Sequence, residues 1–262
     1  MTLQELLGKL EEYAPLRLSA DYCRAYGAYD NSGIIVDSGK DVNGIMFALD
    51  LNTDVIKAAR EKGYSTIVTH HPAIYGAILH VDSTPGADTQ AIYECARNGL
   101  SVISMHLNLD ITPGGIDESL MEACGGRKLL AVQEQVEGGA YGRVYSVQDR
   151  PFRAYFAEVK AALGAEHILA FGDMDRIVRR TASFCGAGCS DGAIDFAWKQ
   201  GADVFVSSDM KHHQITSILN KGMCIIVPTH YAAELYGFRK FAKAAGAKAG
   251  VPSDIYCDSR IV

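Results

Sequence analysis

The chain has 262 residues with an ordinary globular composition, enough for one large α/β domain or two small lobes with their own cores. Its net charge is −6 and no basic stripe stands out, so an extended nucleic-acid surface is not expected. No apolar run approaches the roughly 20 residues that a membrane helix needs, and the N-terminal segment has the pattern of an amphipathic helix rather than a signal peptide.

The first part of the chain alternates strand-like and helix-like segments. Apolar runs at residues 42–49, 65–69 and 100–105 predict buried strands, and helical patterns at 53–62 and 90–98 lie between them. This βαβαβ order indicates a mostly parallel sheet with helices on its faces.

The pattern changes after Gly125 and Gly126, but strands and helices continue to alternate. The further predicted strands are 141–147, 167–171, 177–184, 204–207 and 223–227, and the further predicted helices are 152–163, 193–199, 214–220 and 230–245. We therefore predict two α/β lobes with mixed, mostly parallel sheets flanked by helices. The predicted boundaries are 1–125 for the first lobe, 126–222 for the second, and 223–262 for a segment that returns to the first.

Two adjacent histidines, His70 and His71, directly follow one predicted strand and precede Pro72. Sites in open α/β sheets assemble at the carboxyl ends of strands. Adjacent side chains of an extended chain point apart, so the pair suits two metal ions better than one. The alternative is one surface histidine and one hydrogen-bonded core histidine.

His106 and Asp110 follow the next predicted strand. A carboxylate supplies an oxygen ligand that complements imidazole nitrogens, although Asp110 could equally serve a turn or a helix cap. His106 could bind metal, or it could hydrogen-bond a metal ligand or the substrate.

His230 and Glu234 follow the strand at 223–227 and lie four residues apart. If a helix begins at His230, both side chains lie on one face, and the two oxygens of Glu234 could bridge two ions. The return segment would then complete the metal site. Such a pair is also common as a plain surface contact.

Together these segments give a ligand set of His70, His71, Asp110, His230 and Glu234. A mixed nitrogen and oxygen set suits Zn, Mn, Fe or Co. Five ligands exceed the three of a single catalytic zinc and fit two divalent ions about 3.5–4 Å apart. No cysteine joins the set, which disfavours a structural zinc site.

A further polar segment, from Ser207 to His213, follows the strand at 204–207. Asp209 and His213 are candidates for proton transfer, and Lys211 and His212 for binding an anionic part of the substrate. The alternative is a helix cap at Asp209 followed by a solvated turn. The glycine-rich stretch from Cys185 to Gly192 could cradle an anion, but a plain tight turn explains it equally well.

Eight short segments in this order resemble the NGG-one-interacting-factor-three-like family, whose members are widely named GTP cyclohydrolase 1 type 2. The matching segments are Asp30–Gly33, Ala48–Asp50, Thr69–Pro72, His106–Asp110, Pro113–Asp117, Cys185–Gly188, Ser208–His213 and Thr229–Glu234. The chain departs from the family pattern beside the ligands, at Tyr29, Leu107, Ser208 and Thr229.

The resemblance implies two similar α/β lobes, a toroidal homohexamer and a dinuclear centre. It assigns His71, Asp110 and Glu234 to one ion, and His70, His230 and Glu234 to the other. It also implies ring-opening hydrolysis of a nucleotide such as GTP.

Two functions remain open from the sequence: a dinuclear metal-dependent hydrolase acting on a small molecule, and a metal-binding assembly or regulatory protein without turnover. The seven scattered cysteines argue against a disulfide framework and fit a reducing compartment, so we expect a cytoplasmic protein.

Overall fold

The computed structural model describes residues 1–87 and 89–262, which form two compact units. The first unit comprises Met1–Thr112 and Phe238–Cys257, and the second comprises Pro113–Gly237 and Asp258–Val262. The helices are α1 (Leu3–Glu11), α2 (Leu16–Tyr26), α3 (Thr53–Glu61), α4 (Gln90–Asn98), α5 (Leu107–Ile111), α6 (Ile116–Ala123), α7 (Phe152–Leu163), α8 (Asp191–Lys199), α9 (His212–Asn220) and α10 (His230–Ala249). The strands are β1 (Gly33–Val36), β2 (Ile45–Ala48), β3 (Thr66–Thr69), β4 (Ser101–Ser104), β5 (Lys128–Val136), β6 (Gly139–Pro151), β7 (Ile168–Phe171), β8 (Ile177–Ser183), β9 (Val204–Val206), β10 (Cys224–Pro228) and β11 (Ser253–Ile255).

The first unit contains a five-stranded sheet in the order β1-β4-β3-β2-β11. Strands β2, β3, β4 and β11 run parallel, and β1 pairs antiparallel with β4. Every residue of β2, β3 and β4 is buried, as expected for apolar runs covered on both faces. The last paired residues, Ala48, Thr69 and Ser104, lie side by side across the three strands. The segments that follow therefore begin at one edge of the sheet.

Helix α3 shows how local sequence sets these elements. The Asn52 side chain caps the helix by accepting a hydrogen bond of 3.0 Å from the backbone N–H of Val55. Val55, Ile56 and Ala59 then lie on one buried face, three and four residues apart. They pack in one core cluster with Ile67 of β3 and other buried residues of the sheet.

The second unit contains a six-stranded sheet in the order β5-β6-β8-β9-β10-β7. Strands β8, β9 and β10 are parallel, whereas β5, β6 and β7 are antiparallel to their neighbours. The prediction of two mixed sheets flanked by helices is confirmed. Parallel pairing predominates in the first sheet only, because β5 and β6 form a hairpin at Gly138, which has a left-handed φ of 82°.

The boundaries of the two units differ from the boundaries predicted for the lobes. The first boundary lies at Thr112 instead of near Gly125, because α6 packs against β6 and β8 of the second sheet. The chain rejoins the first unit at Phe238 instead of residue 223, because β10 pairs with β9 and β7.

The described part of the chain has no helix that is both long enough and apolar enough to cross a membrane. All seven cysteines lie among the described residues and are free thiols.

Candidate metal centre

His70 is a fully buried histidine immediately after β3. Its Nδ1 donates a hydrogen bond of 2.8 Å to the carbonyl oxygen of Met105. A carbonyl can only accept, so the proton of the neutral ring is on Nδ1 and the lone pair is on Nε2. That Nε2 lies 3.4 Å from Oδ1 of Asp110, which is itself buried.

His71 and His106 are held in the same way, each by a carboxylate. Nδ1 of His71 donates to Oδ1 of Asp50 at 2.7 Å, and Nδ1 of His106 donates to Oδ1 of Asp30 at 2.7 Å. In metal sites such a bond fixes the ring orientation and directs the other ring nitrogen towards the ion.

The carboxylate of Asp30 is the centre of a small hydrogen-bonded cluster. Burial alone would raise its pKa, but hydrogen bonds from His106, Ser19 and Ser32 outweigh burial and lower the pKa to about 2. Ser32 Oγ lies 2.6 Å from Asp30, and the same oxygen accepts the backbone N–H of His106 at 3.0 Å. His106 is therefore fixed at both its ring and its backbone.

The three histidines of the first unit converge. Ring centroids of His70 and His71 are 4.8 Å apart, and those of His70 and His106 are 5.1 Å apart. One ring nitrogen from each of the three residues lies within 4.8 Å of the others, close enough to hold a metal ion. The first unit therefore provides a cluster of donors in which His106 belongs to the group as fully as the predicted ligands.

In the second unit, the first turn of α10 carries His230 and Glu234, as predicted. Nε2 of His230 is 3.0 Å from Oε1 of Glu234, and Nδ1 of His230 donates to Oδ2 of Asp209 at 2.6 Å. Burial would lower the pKa of His230, but the two carboxylates outweigh burial and raise it to about 9. A protonated imidazole cannot bind a metal, so an ion would have to displace this proton.

Asp209 is the only described non-glycine residue with a left-handed backbone, at φ 52°. This conformation is uncommon for residues with a Cβ, and it marks backbone strain that the surrounding structure must maintain. The sequence predicted proton transfer for Asp209. Its observed contact gives it a second use, which is to orient the imidazole of His230.

Replacing Asp209 should therefore weaken metal binding without removing a ligand. We expect Asp209→Ala to reduce metal affinity about 10- to 100-fold, the usual cost of losing a carboxylate behind a ligating histidine. Asp209→Asn should lose less, because asparagine tolerates the left-handed backbone and its oxygen can still accept from Nδ1. Competition with a chromophoric chelator measures both variants. Equal affinity in Asp209→Ala and wild type would contradict the role.

Gly186 lies in the glycine-rich turn and faces both predicted ligands of the second unit. A Cβ at this position would lie 2.7 Å from Oε1 of Glu234 and 3.2 Å from Nε2 of His230. Its φ of 57° is also left-handed. The glycine therefore leaves open the space that the two donor atoms face, as a cation site requires. The sequence suggested a tight turn or an anion cradle here and did not predict this close approach.

We expect Gly186→Ala to reduce metal occupancy of the purified protein, because the added methyl group meets the carboxylate of Glu234. The left-handed φ adds strain of order 1 kcal/mol. Gly164→Ala is the matched control, since Gly164 has φ 63° and no atom within 4 Å of the added Cβ. The prediction fails if both variants retain the same metal content by elemental analysis.

The remaining predicted residues, Lys211, His212 and His213, are exposed at the start of α9. Their backbone contacts are local: Lys211 N–H donates to Gln214 Oε1, and the carbonyl of His213 accepts from Thr216. These contacts correspond to the exposed first turn of the alternative interpretation, but the residue that caps α9 is Lys211 and not Asp209.

The donor chemistry fits divalent metal ions. Neutral imidazoles and ionised carboxylates suit several first-row metals, and the rings are held through the nitrogen that does not ligate. Sequence reasoning missed two of the supporting carboxylates, Asp30 and Asp50. Asp50 could have been found, because it lies just beyond β2, at the edge where His70 and His106 also lie.

Comparison with known proteins relates the chain to one protein family. A family model described as Duf34/NIF3 (NGG1p interacting factor 3) matches residues 1–254. A Clostridium perfringens protein named GTP cyclohydrolase 1 type 2 homolog is 28% identical over 244 residues, covering 89% of this chain and 87% of the relative. A Methanocaldococcus jannaschii protein of the same name is 26% identical over 243 residues, covering 92% and 93%.

Solved structures share the fold. A hypothetical protein of Staphylococcus aureus matches with a TM-score of 0.84 and 22% identity, covering 98% of this chain and 97% of its own. A Bacillus cereus protein related to NIF3 matches with a TM-score of 0.81 and 18% identity, covering 98% and 96%. The family model covers nearly the whole chain, and the family expected from the motifs is confirmed: this chain belongs to the Duf34/NIF3 family.

Proposed function

We propose that the chain is a dinuclear metal-dependent hydrolase whose ions are bound by His70, His71, Asp110, His230 and Glu234. The observation that carries the proposal is the hydrogen bonding of the histidine side chains. Each of the three predicted histidine ligands is hydrogen-bonded through Nδ1 to a carbonyl or carboxylate oxygen. An imidazole held in this way presents Nε2 as its metal donor.

The distances favour a particular distribution of the ligands. Asp110 lies beside His70, which supports one ion shared by these two residues. His71 and His230 would then serve the second ion, and Glu234 would bridge. This distribution differs from the one implied by the family resemblance, in which Asp110 accompanies His71.

Two divalent ions held by these residues would supply an activated water near neutral pH and would polarise the bond to be cleaved. In the proposal, Asp209 and Asp50 keep the imidazoles of His230 and His71 in their ligating orientation. Asp30 holds His106, the proposed contact to a ligand or to the substrate. His213 remains the proposed proton-transfer group, and Lys211 and His212 the proposed partners of an anionic substrate group. Asp209 acts through His230 and is a positioning residue.

A nucleotide is the first substrate to test, because curated relatives are named GTP cyclohydrolase 1 type 2 homolog. Ring-opening hydrolysis of the purine is the reaction that this name implies. The proposal also includes a homohexamer and a cytoplasmic location. The seven free cysteines support a reducing compartment.

The test is an assay of the purified chain with GTP in the presence of Mn, Zn, Fe or Co. We expect release of formate or a ring-opened product, and its loss on adding a chelator. If GTP is unchanged with every metal, the cyclohydrolase activity is refuted. If a panel of nucleotides, phosphoesters and amides is also unchanged, the alternative of a metal-binding assembly or regulatory protein replaces the hydrolase.

A further inference from the structure

Two exposed tyrosines of the first unit are locked against each other beside His106. The rings of Tyr29 and Tyr75 are perpendicular, with centroids 5.2 Å apart, and the Tyr75 hydroxyl donates to the carbonyl oxygen of Tyr29 at 2.9 Å. Their exposed fractions are 53% and 63%, so much of each ring remains open. Large aromatic residues usually bury more of their surface, which makes a rigid, exposed pair notable.

The pair is continuous with His106. The ring of Tyr75 stands at 90° to that of His106, with centroids 6.2 Å apart. The segment before Tyr75 is tied down as well, because the side-chain amide of Asn31 donates to the carbonyl oxygen of Ile74 at 2.8 Å. The two rings are therefore held by contacts on both sides.

Tyr29 also forms part of a cleft of about 300 Å³ between α2 and the loop before β1. This volume lies at the lower end of the range for small-molecule sites. Its lining combines apolar and polar groups. The remaining lining residues are Leu16, Ser19, Ala20, Cys23, Ala28, Asp30, Asn31 and Ser32.

The lining discriminates between the parts of a nucleotide. Asp30 places a carboxylate in the lining, and a carboxylate repels phosphate. The apolar lining residues and the ring of Tyr29 suit a flat ring, and the ring of Tyr75 packs against that of Tyr29. Every nucleobase has a face that can stack on an aromatic side chain. The cleft therefore fits a heteroaromatic ring and disfavours the charged end of the same molecule.

We propose that Tyr29 and Tyr75 form a stacking site for the planar heteroaromatic ring of the substrate, next to His106 and in the cleft beside α2. This inference rests on the proposed function only in that it takes the bound molecule to be the substrate. The stacking site itself is a binding property that can be measured without turnover.

The test measures binding of guanosine, which has the ring without phosphate, and of ribose 5-phosphate, which has phosphate without the ring. Calorimetry is run on metal-loaded wild type, Tyr29→Ala, Tyr75→Ala, Tyr29→Phe and Trp198→Ala. Trp198 is a matched control, because it is 50% exposed and lies on α8 of the second unit. Circular dichroism and metal content are recorded for each variant.

We expect Tyr29→Ala and Tyr75→Ala, the two alanine variants of the tyrosine pair, to bind guanosine about tenfold more weakly or worse, the usual effect of removing one stacking side chain. Tyr29→Phe and Trp198→Ala should bind guanosine like wild type, and affinity for ribose 5-phosphate should not change. The inference is overturned if wild type binds no guanosine, if the alanine variants bind it equally well, or if they lose ribose 5-phosphate to the same degree.

The results separate this inference from the proposed function. Tyrosine-dependent binding of guanosine without hydrolysis of any substrate would retain the stacking site and refute the hydrolase. Hydrolysis of GTP with the same KM in wild type and both alanine variants would retain the hydrolase and refute the stacking site.

Discussion

Glu234→Ala should lose most of the bound metal. We expect wild type to hold close to two ions per chain and the variant to hold fewer than one, because Glu234 is the proposed bridge between the ions. The residue is 2% exposed and lies 3.0 Å from Nε2 of His230. Elemental analysis after loading and dialysis gives the stoichiometry. Glu61→Ala is the control, since Glu61 is an exposed glutamate of α3 whose Lys57 partner is 3.9 Å away.

Three outcomes would contradict this prediction. Fully loaded wild type with fewer than one ion would refute the dinuclear centre itself. Two ions in Glu234→Ala would refute the bridging role while leaving the histidines as ligands. A third ratio, one ion in the variant, would show that one of the two sites does not need Glu234, and the stoichiometric prediction would then be wrong.

Asp117→Ala should destabilise the second unit by about 3–5 kcal/mol, the usual cost of leaving one member of a buried ion pair without its partner. Asp117 is fully buried and pairs with Arg143, which is 4% exposed. The same carboxylate accepts the backbone N–H groups of Gly142 at 3.0 Å and Cys185 at 3.2 Å. The variant removes the acceptor of these two hydrogen bonds and the nearest carboxylate of the guanidinium, which keeps Glu118 at 3.7 Å.

The measurement is the free energy of unfolding in urea, monitored by circular dichroism. Asp175→Ala is the matched control, because Asp175 forms an exposed ion pair with Arg153, and such pairs contribute about 0–1 kcal/mol. A loss below about 1 kcal/mol in Asp117→Ala, equal to that of the control, would contradict the prediction.

Because Cys185 is held by Asp117 and precedes Gly186, metal affinity should fall in Asp117→Ala and stay unchanged in Asp175→Ala.

The fold was most predictable where burial is complete. Strands β2, β3, β4, β9 and β10 are apolar runs with nearly every residue buried, so composition alone identifies them. Strand β5 was missed because it lies at a sheet edge, where Leu129 and Leu130 are exposed and no alternation of buried and exposed residues marks it. Strand β11 has three residues and forms only by pairing with β2.

The proposed ligand residues stand out in the sequence because they follow buried strands, where a polar residue has few structural reasons to be. The contacts that hold their side chains do not stand out. Asp30 and His106 are 76 residues apart, and no local pattern connects them. The same holds for Asp209 and His230, whose contact depends on a left-handed backbone at Asp209 that sequence pattern does not indicate. These pairs of carboxylate and histidine therefore form only because the fold brings distant parts of the chain together.

The hydrogen bonds at Nδ1 also have a thermodynamic consequence. His70, His71, His106 and His230 have already lost side-chain conformational freedom before any ion arrives. Ordering a mobile side chain on binding costs about 0.5–1.5 kcal/mol, and this cost is largely absent here. Calorimetric titration of metal into the metal-free chain should accordingly show a small entropic penalty from side-chain ordering. A rigid set of donors also adapts poorly to ions of different coordination geometry. We therefore expect the fixed positions of the donor atoms to determine which metals bind.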